Sequence, residues 1–142
     1  MKNIFKTLAI ILVVSMITFS CDNKNGNEPD DPTNKELSVN SENLQGSWIL
    51  TNWVCSDGTD MSYTLGKKIS FFEDGTMYMP TEEWEDLMPI YNQWAYSSVN
   101  KNLIFSAEGE ESMVYLVKSF TEKVLVLEYT AGISHILTFE RQ

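Results

Sequence analysis

The chain has 142 residues with 20 acidic and 10 basic side chains, a net charge of −10, and 43% hydrophobic residues. Nucleic acid and anionic lipid headgroups attract basic surfaces, and no stretch after residue 20 is rich in Lys or Arg. Composition therefore excludes nucleic-acid binding.

Residues 1–20 have the features of a secretory signal peptide. Lys2 and Lys6 precede an apolar stretch at residues 8–19, which is shorter than the roughly 20 apolar residues of a membrane-spanning helix. The stretch ends at Ser20-Cys21, which resembles the lipobox of bacterial lipoproteins, in the loose form of Bacteroides-type bacteria. We expect cleavage before Cys21, lipidation of Cys21, and a location in the cell envelope, at the outer membrane and facing the periplasm or the surface. The alternative is an ordinary secreted protein.

Residues 21–43 predict a flexible acidic tether, because Leu37 and Val39 are the only large aliphatic side chains among many Asn, Asp and Pro residues. Such a segment buries too little apolar surface to offset the entropy of ordering it. The folded domain is then residues 44–142, enough for one hydrophobic core. With Cys21 acylated, Cys55 is a free thiol, which we expect to be buried as a small apolar residue.

From residue 46 onward, short stretches rich in Val, Ile, Tyr, Phe and Thr alternate with turn residues, and such stretches favour strands. Asp74-Gly75 is a strong hairpin signal. The predicted strands cover residues 46–55, 68–72, 76–79, 91–97, 103–106, 112–120, 124–129 and 133–140. Their even spacing predicts an all-β, antiparallel up-and-down meander of about eight strands, closed as a barrel or folded as a sandwich. We expect a monomer.

Residues 80–89 interrupt the strand pattern and predict one short helix. Thr81 is a candidate N-cap, acidic residues follow in the first turn, and Trp84, Leu87 and Met88 share one helical face before Pro89 ends the helix. Between the third and fourth strands, this helix either closes one end of the barrel as part of the core or covers a cavity as a lid.

Three motifs give the domain a family resemblance. Gly46-Ser47-Trp48 opens the first strand, Phe71 begins an F-x-x-DGT hairpin that ends at Thr76, and Arg141 follows the last strand. This combination resembles the small lipocalin-like lipoproteins of Bacteroides-type bacteria over nearly all of residues 44–142. The resemblance implies a lipocalin-like barrel in which Trp48 closes the base and Arg141 stacks across it. Both residues are then structural.

Alternating side chains of a barrel point inward, and this period also places Met77, Met79, Leu125 and Leu127 inside. An eight-stranded barrel is wide enough to be filled by side chains or to hold one small ligand. One hypothesis is therefore a small apolar or amphipathic ligand inside the barrel. The other is a filled interior, with loops at residues 80–89 or 108–111 contacting a protein or a glycan. The predicted ligand-binding residues are Leu50, Asn52, Phe71, Trp84, Trp94, Tyr96, Tyr115 and His135.

Catalytic chemistry finds little support in the sequence. A single histidine, His135, gives no His cluster for zinc, and no Gly-rich phosphate loop or hydrolase motif occurs. The acidic groups at residues 82–86 and 108–111 fall on a helix surface and a loop, whereas paired-carboxylate chemistry needs two acids facing each other. We expect no enzymatic activity, no cofactor and no metal.

Overall fold

The computed structural model describes residues 36–142. The predicted signal peptide, Cys21 and most of the predicted tether lie outside the described residues. Within them, eight antiparallel strands form one sheet in the order β3-β2-β1-β8-β7-β6-β5-β4. The strands are β1 (Gly46–Cys55), β2 (Lys68–Phe71), β3 (Met77–Tyr78), β4 (Gln93–Ser97), β5 (Asn102–Ser106), β6 (Met113–Phe120), β7 (Val124–Ala131) and β8 (Ile133–Arg141). Three short helices accompany them: α1 (Ser41–Leu44), a 3₁₀ helix (Ser62–Thr64) and α2 (Thr81–Trp84).

The sheet curls into a nearly closed barrel. Each strand pairs with its neighbour in sequence except β3 with β4, and β1 pairs with β8. Two hydrogen bonds bridge the remaining gap: Met77 N–H donates to the Asn92 carbonyl at 2.9 Å, and Trp94 N–H donates to the Gly75 carbonyl at 2.8 Å. The predicted all-β, up-and-down barrel of about eight strands is confirmed.

A β-bulge in β1 corrects the predicted orientation of Asn52. The register with β8 shifts between Leu50 and Asn52, so two residues of β1 take the place of one. The inward face is therefore Trp48 and Leu50 before the bulge, and Trp53 after it. Asn52 is exposed, which contradicts its predicted place in a ligand site.

The ordered domain begins earlier than residue 44. Leu37 N–H donates to the Phe120 carbonyl at 2.9 Å, and both Leu37 and Val39 pack against the core. Asn40 then caps α1 by accepting from Asn43 N–H at 2.8 Å. The two aliphatic side chains of the predicted tether thus join the barrel, and they do so at the end where β6 finishes.

Arg141 closes this same end of the barrel, the base. Its guanidinium carbon lies 4.2 Å from the centre of the Trp48 ring. It also donates to the carbonyls of Gln45 at 2.5 Å, Asn43 at 2.6 Å and Glu122 at 2.7 Å. We call this arrangement the Arg141 clasp. Gly46 allows it, because a Cβ there would lie 2.8 Å from Nη1 of Arg141 and its φ is +113°.

Large side chains fill the interior. No buried side-chain nitrogen or oxygen of residues 36–142 lacks a hydrogen-bond partner. The barrel core is therefore apolar, and its few buried polar side-chain atoms all have hydrogen-bond partners, as a packed interior requires. Its largest fully buried members are Trp48, Trp84, Tyr115, Phe71, Phe120, Phe139, Leu44, Leu50, Ile69, Leu103, Leu125 and Leu127.

Candidate functional site

Five of the eight residues predicted to bind a ligand are members of the hydrophobic core. Asn52 is exposed, as described above, while Tyr96 and His135 are half-buried. The other five are buried in contact with one another or with neighbouring core side chains: Leu50, Phe71, Trp84, Trp94 and Tyr115. These side chains occupy the volume that a ligand inside the barrel would need.

Trp84 shows how the segment at residues 80–89 is used. Its side chain is 1% exposed, and its indole N–H donates to the Lys68 carbonyl at 2.7 Å. The helix is shorter than the sequence predicts, ending at Trp84 and continuing as turns, and Pro80 rather than Thr81 is the N-cap. Trp84 and the nearby Met88 belong to the hydrophobic core, so the segment packs against the barrel instead of standing open above it.

A chain of aromatic contacts runs from the interior to the barrel end opposite the Arg141 clasp. Ring centres are separated by 5.6 Å between Phe71 and Phe105, 4.8 Å between Phe105 and Tyr115, and 5.3 Å between Tyr115 and Tyr129. Tyr129 then stacks on His135 at 4.4 Å with the rings almost parallel. The last two rings in this chain are only half-buried.

His135 is held by two neighbours on β1. Its Nδ1 lies 3.2 Å from the indole nitrogen of Trp53 and 3.3 Å from Sγ of Cys55. Because an indole N–H can only donate, Nδ1 is an acceptor and the proton of the neutral ring is on Nε2. Burial and the nearby Asp57 carboxylate raise the pKa of Cys55. A protonated, buried thiol is a weak nucleophile.

At this end of the barrel an open groove of about 580 Å³ adjoins the aromatic chain. We call it the end groove. It is formed where β6 begins, where β7 ends, and by the two loops that approach them. Its lining residues are Pro89, Tyr91, Glu110, Glu111, Ser112, Met113, Val114, Tyr129, Thr130 and Ala131.

Tyr91 joins the groove to the core. It is 2% exposed, its ring lies 6.2 Å from that of Phe105, and its hydroxyl donates to the Glu111 carbonyl at 3.2 Å. That hydrogen bond fixes the loop carrying Glu110 and Glu111 beside the groove. Burial, followed by the two carboxylates, raises the pKa of Tyr91.

Beneath the groove the hydroxyl of Tyr115 is surrounded by sulfur. It lies 2.8 Å from Sδ of Met113 and 3.8 Å from Sδ of Met88, and the side chain is buried. Burial raises the pKa of Tyr115 well above its ordinary value and raises that of Tyr129 to about 12, where Cys55 adds to the effect. Both phenols are therefore neutral near neutral pH, and Tyr129 lines the groove.

The sequence predictions missed most of the groove lining. Tyr129 carried a usable signal, because the inward period of Leu125 and Leu127 continues to it along β7. Tyr91 and Met113 gave none, since each lies at or just outside a strand end where alternation gives no direction. The pairing of the loop at residues 108–111 with Tyr91 is a tertiary contact.

Residues 36–142 contain no group of three or more His, Cys, Asp or Glu side chains placed to hold a metal ion. Over the same residues, no helix has the length and apolar character needed to cross a membrane.

Fold and site together define a small, nearly closed antiparallel barrel with a filled interior and a groove at one end. Comparison of the chain with protein-family models, curated proteins and solved structures finds no match.

Proposed function

We propose that this protein is a lipid-anchored lipoprotein of the cell envelope that binds a small amphipathic molecule in the end groove, without catalysis. The observation that carries the proposal is the groove of about 580 Å³ beside Tyr91, Met113 and Tyr129. Small-molecule sites commonly measure about 300–1,000 Å³ and combine apolar walls with a few polar groups.

The groove suits such a ligand better than the barrel interior does. A ligand inside the barrel would have to displace buried rings such as Phe105 and Tyr115, which already contact each other. Emptying a packed core position costs about 3–5 kcal/mol for an aromatic side chain. Binding at the end groove requires no such displacement, because the groove is open and its tyrosines are already positioned.

A binding role fits the state of the two groups most suited to catalysis. The Cys55 thiol has a raised pKa and is buried, and Nδ1 of His135 accepts from Trp53. Neither arrangement gives an activated nucleophile with a free general base.

The anchor rests on the signal segment and on Cys21, together with the resemblance to lipocalin-like lipoproteins. Growth of cells expressing the full chain with an alkyne-tagged fatty acid tests it, with a Cys21→Ser variant as the control. We expect labelling of the unsubstituted chain, recovered with membranes, and none of the variant. Equal labelling of both, or of neither, would contradict lipidation at Cys21.

The ligand site is tested by filling it. Ala131 lines the groove and is exposed, so Ala131→Trp places a large ring there without removing a core contact. Val99, which is 89% exposed and outside the groove, provides the matched control Val99→Trp. We measure the full chain in lipid nanodiscs, by native mass spectrometry for co-purifying molecules and by fluorescence with an environment-sensitive apolar dye.

We expect the native chain and Val99→Trp to bind dye, and Ala131→Trp to lose at least about tenfold in affinity, or about 1.4 kcal/mol. Equal binding by all three proteins would place any ligand elsewhere. No binding by any of them would favour the second hypothesis, a barrel that contacts a protein or a glycan through its loops.

A further inference from the structure

The charge around the end groove narrows the class of ligand. Among residues 36–142, Glu110 and Glu111 are the only charged side chains that line it. Both are exposed and lie at the rim, where the Tyr91 hydroxyl holds their loop through the Glu111 carbonyl. An anionic group entering this groove would meet two carboxylates and no compensating cation among the lining residues.

The aromatic part of the lining also favours a positively charged ligand. The faces of Tyr and Trp rings attract cations within about 6 Å of the ring centre. Tyr129 lines the groove and is half-buried, so part of its ring is accessible, and it is a neutral phenol near neutral pH because its pKa is raised. Tyr91 borders the groove but is almost fully buried. A cationic head group would contact the Tyr129 ring and the rim carboxylates together, while an apolar body would lie against Met113 and Val114.

We propose that the end groove selects an amphipathic organic cation, an apolar body carrying an amine or a quaternary ammonium group. This inference rests on the proposed function, since it assigns a charge to the ligand of the same groove. The net charge of −10 adds a long-range attraction for cations over anions, which salt weakens.

The test compares three probes that share one apolar body: 4-phenylbutylammonium, 4-phenylbutanol and 4-phenylbutyrate. Affinities for the full chain in uncharged nanodiscs are measured by calorimetry at low and high salt. Two exposed carboxylates and an aromatic face predict that the cation binds about fivefold to thirtyfold more tightly than the alcohol. The carboxylate probe is expected to bind more weakly than the alcohol.

The matched variants change charge on one loop. Replacing both rim acids, Glu110→Gln with Glu111→Gln, is expected to lower the affinity for the cation about fivefold and to leave that for the alcohol within about twofold. Glu108→Gln removes a charge from an exposed residue of the same loop that does not line the groove. It is expected to leave both affinities nearly unchanged, and high salt is expected to reduce only the preference for the cation.

Three results would overturn the inference. Equal affinities for the three probes would show that the groove has no charge preference. In that case, loss of alcohol binding in Ala131→Trp would still support the proposed function. A loss in Glu108→Gln as large as in the double variant would mean that the preference comes from overall charge and not from the groove. Binding of no probe would overturn the inference and the proposed groove together.

Discussion

Replacing Arg141 tests how much the Arg141 clasp contributes to stability. Arg141→Met keeps an unbranched, flexible side chain and removes the guanidinium with its charge and all its donors. The lost cation–π contact is worth about 0.5–2 kcal/mol. Each of the three carbonyl hydrogen bonds contributes about 0.5–1.5 kcal/mol, at the low end because Arg141 is half-buried and water can replace it. The expected loss is about 2–4 kcal/mol, out of the 5–15 kcal/mol typical of a domain.

Urea unfolding monitored by tryptophan fluorescence measures this loss, because all four tryptophans are buried in the folded chain. Arg141→Lys is expected to lose about half as much, since an ammonium keeps the charge over Trp48 but not the planar fork of donors. Lys123→Met removes an exposed charge close to the base and is expected to change stability by less than about 0.5 kcal/mol. If Arg141→Met lost no more stability than Lys123→Met, the Arg141 clasp would contribute nothing measurable to the free energy of unfolding, which would refute this prediction.

Three other perturbations address the core, the base and the tyrosines. Leu125→Ala, at a fully buried position, is expected to lower the free energy of unfolding by about 3 kcal/mol in the same assay; a loss below 1 kcal/mol would mean that the interior is not tightly packed. Gly46 has a positive φ and lies against Arg141, so Gly46→Ala is expected to lower the free energy of unfolding by about 1–3 kcal/mol. An unchanged urea midpoint would contradict the close contact between Gly46 and Arg141. Folding favours the neutral phenols of Tyr115 and Tyr129, whose pKa values exceed the unfolded value of about 10. Their stabilising contribution is complete below pH about 10 and is lost as the pH rises towards about 12. The free energy of unfolding is measured by urea denaturation at several pH values in this range. It should fall less with rising pH in Tyr129→Phe than in the unsubstituted chain, and an equal fall in both would contradict the burial of Tyr129.

Local sequence determined most of the barrel, but it did not determine at every position which side chains point inward. Alternation and turn residues predicted the eight strands because both signals act over a few residues. The bulge in β1 depends on pairing with β8, far away in sequence, so Asn52 was assigned to the wrong face. Beyond Leu50 the inward residues are Trp53 and Cys55, whereas strict alternation would place Asn52 and Val54 inside. Trp53 is much more apolar than Asn52, so composition carried a signal for the correct face that the assumption of strict alternation overrode.

Motif resemblance located the base of the barrel but not the candidate site. Trp48 and Arg141 face each other across paired strands, and the hairpin at Asp74 is present between β2 and β3. The end groove follows instead from tertiary contacts of loops, such as that of Tyr91 with Glu111. Side-chain bulk decided whether the interior is filled, and that depends on how rings such as Phe105 and Tyr115 interlock, which period-two alternation does not describe.

The pairing of β1 with β8 has a consequence for the order in which the barrel is assembled. The carbonyl of Gln45 and the guanidinium of Arg141 are separated by 96 positions along the chain. Contacts this distant in sequence form slowly, because the entropy cost of closing a long loop comes before the contacts contribute any stabilisation. While the chain is being synthesised, β1 therefore has only β2 available as a partner until β8 has been made. The barrel can close only after β8 is available, and until then one edge of β1 is left without a pairing partner.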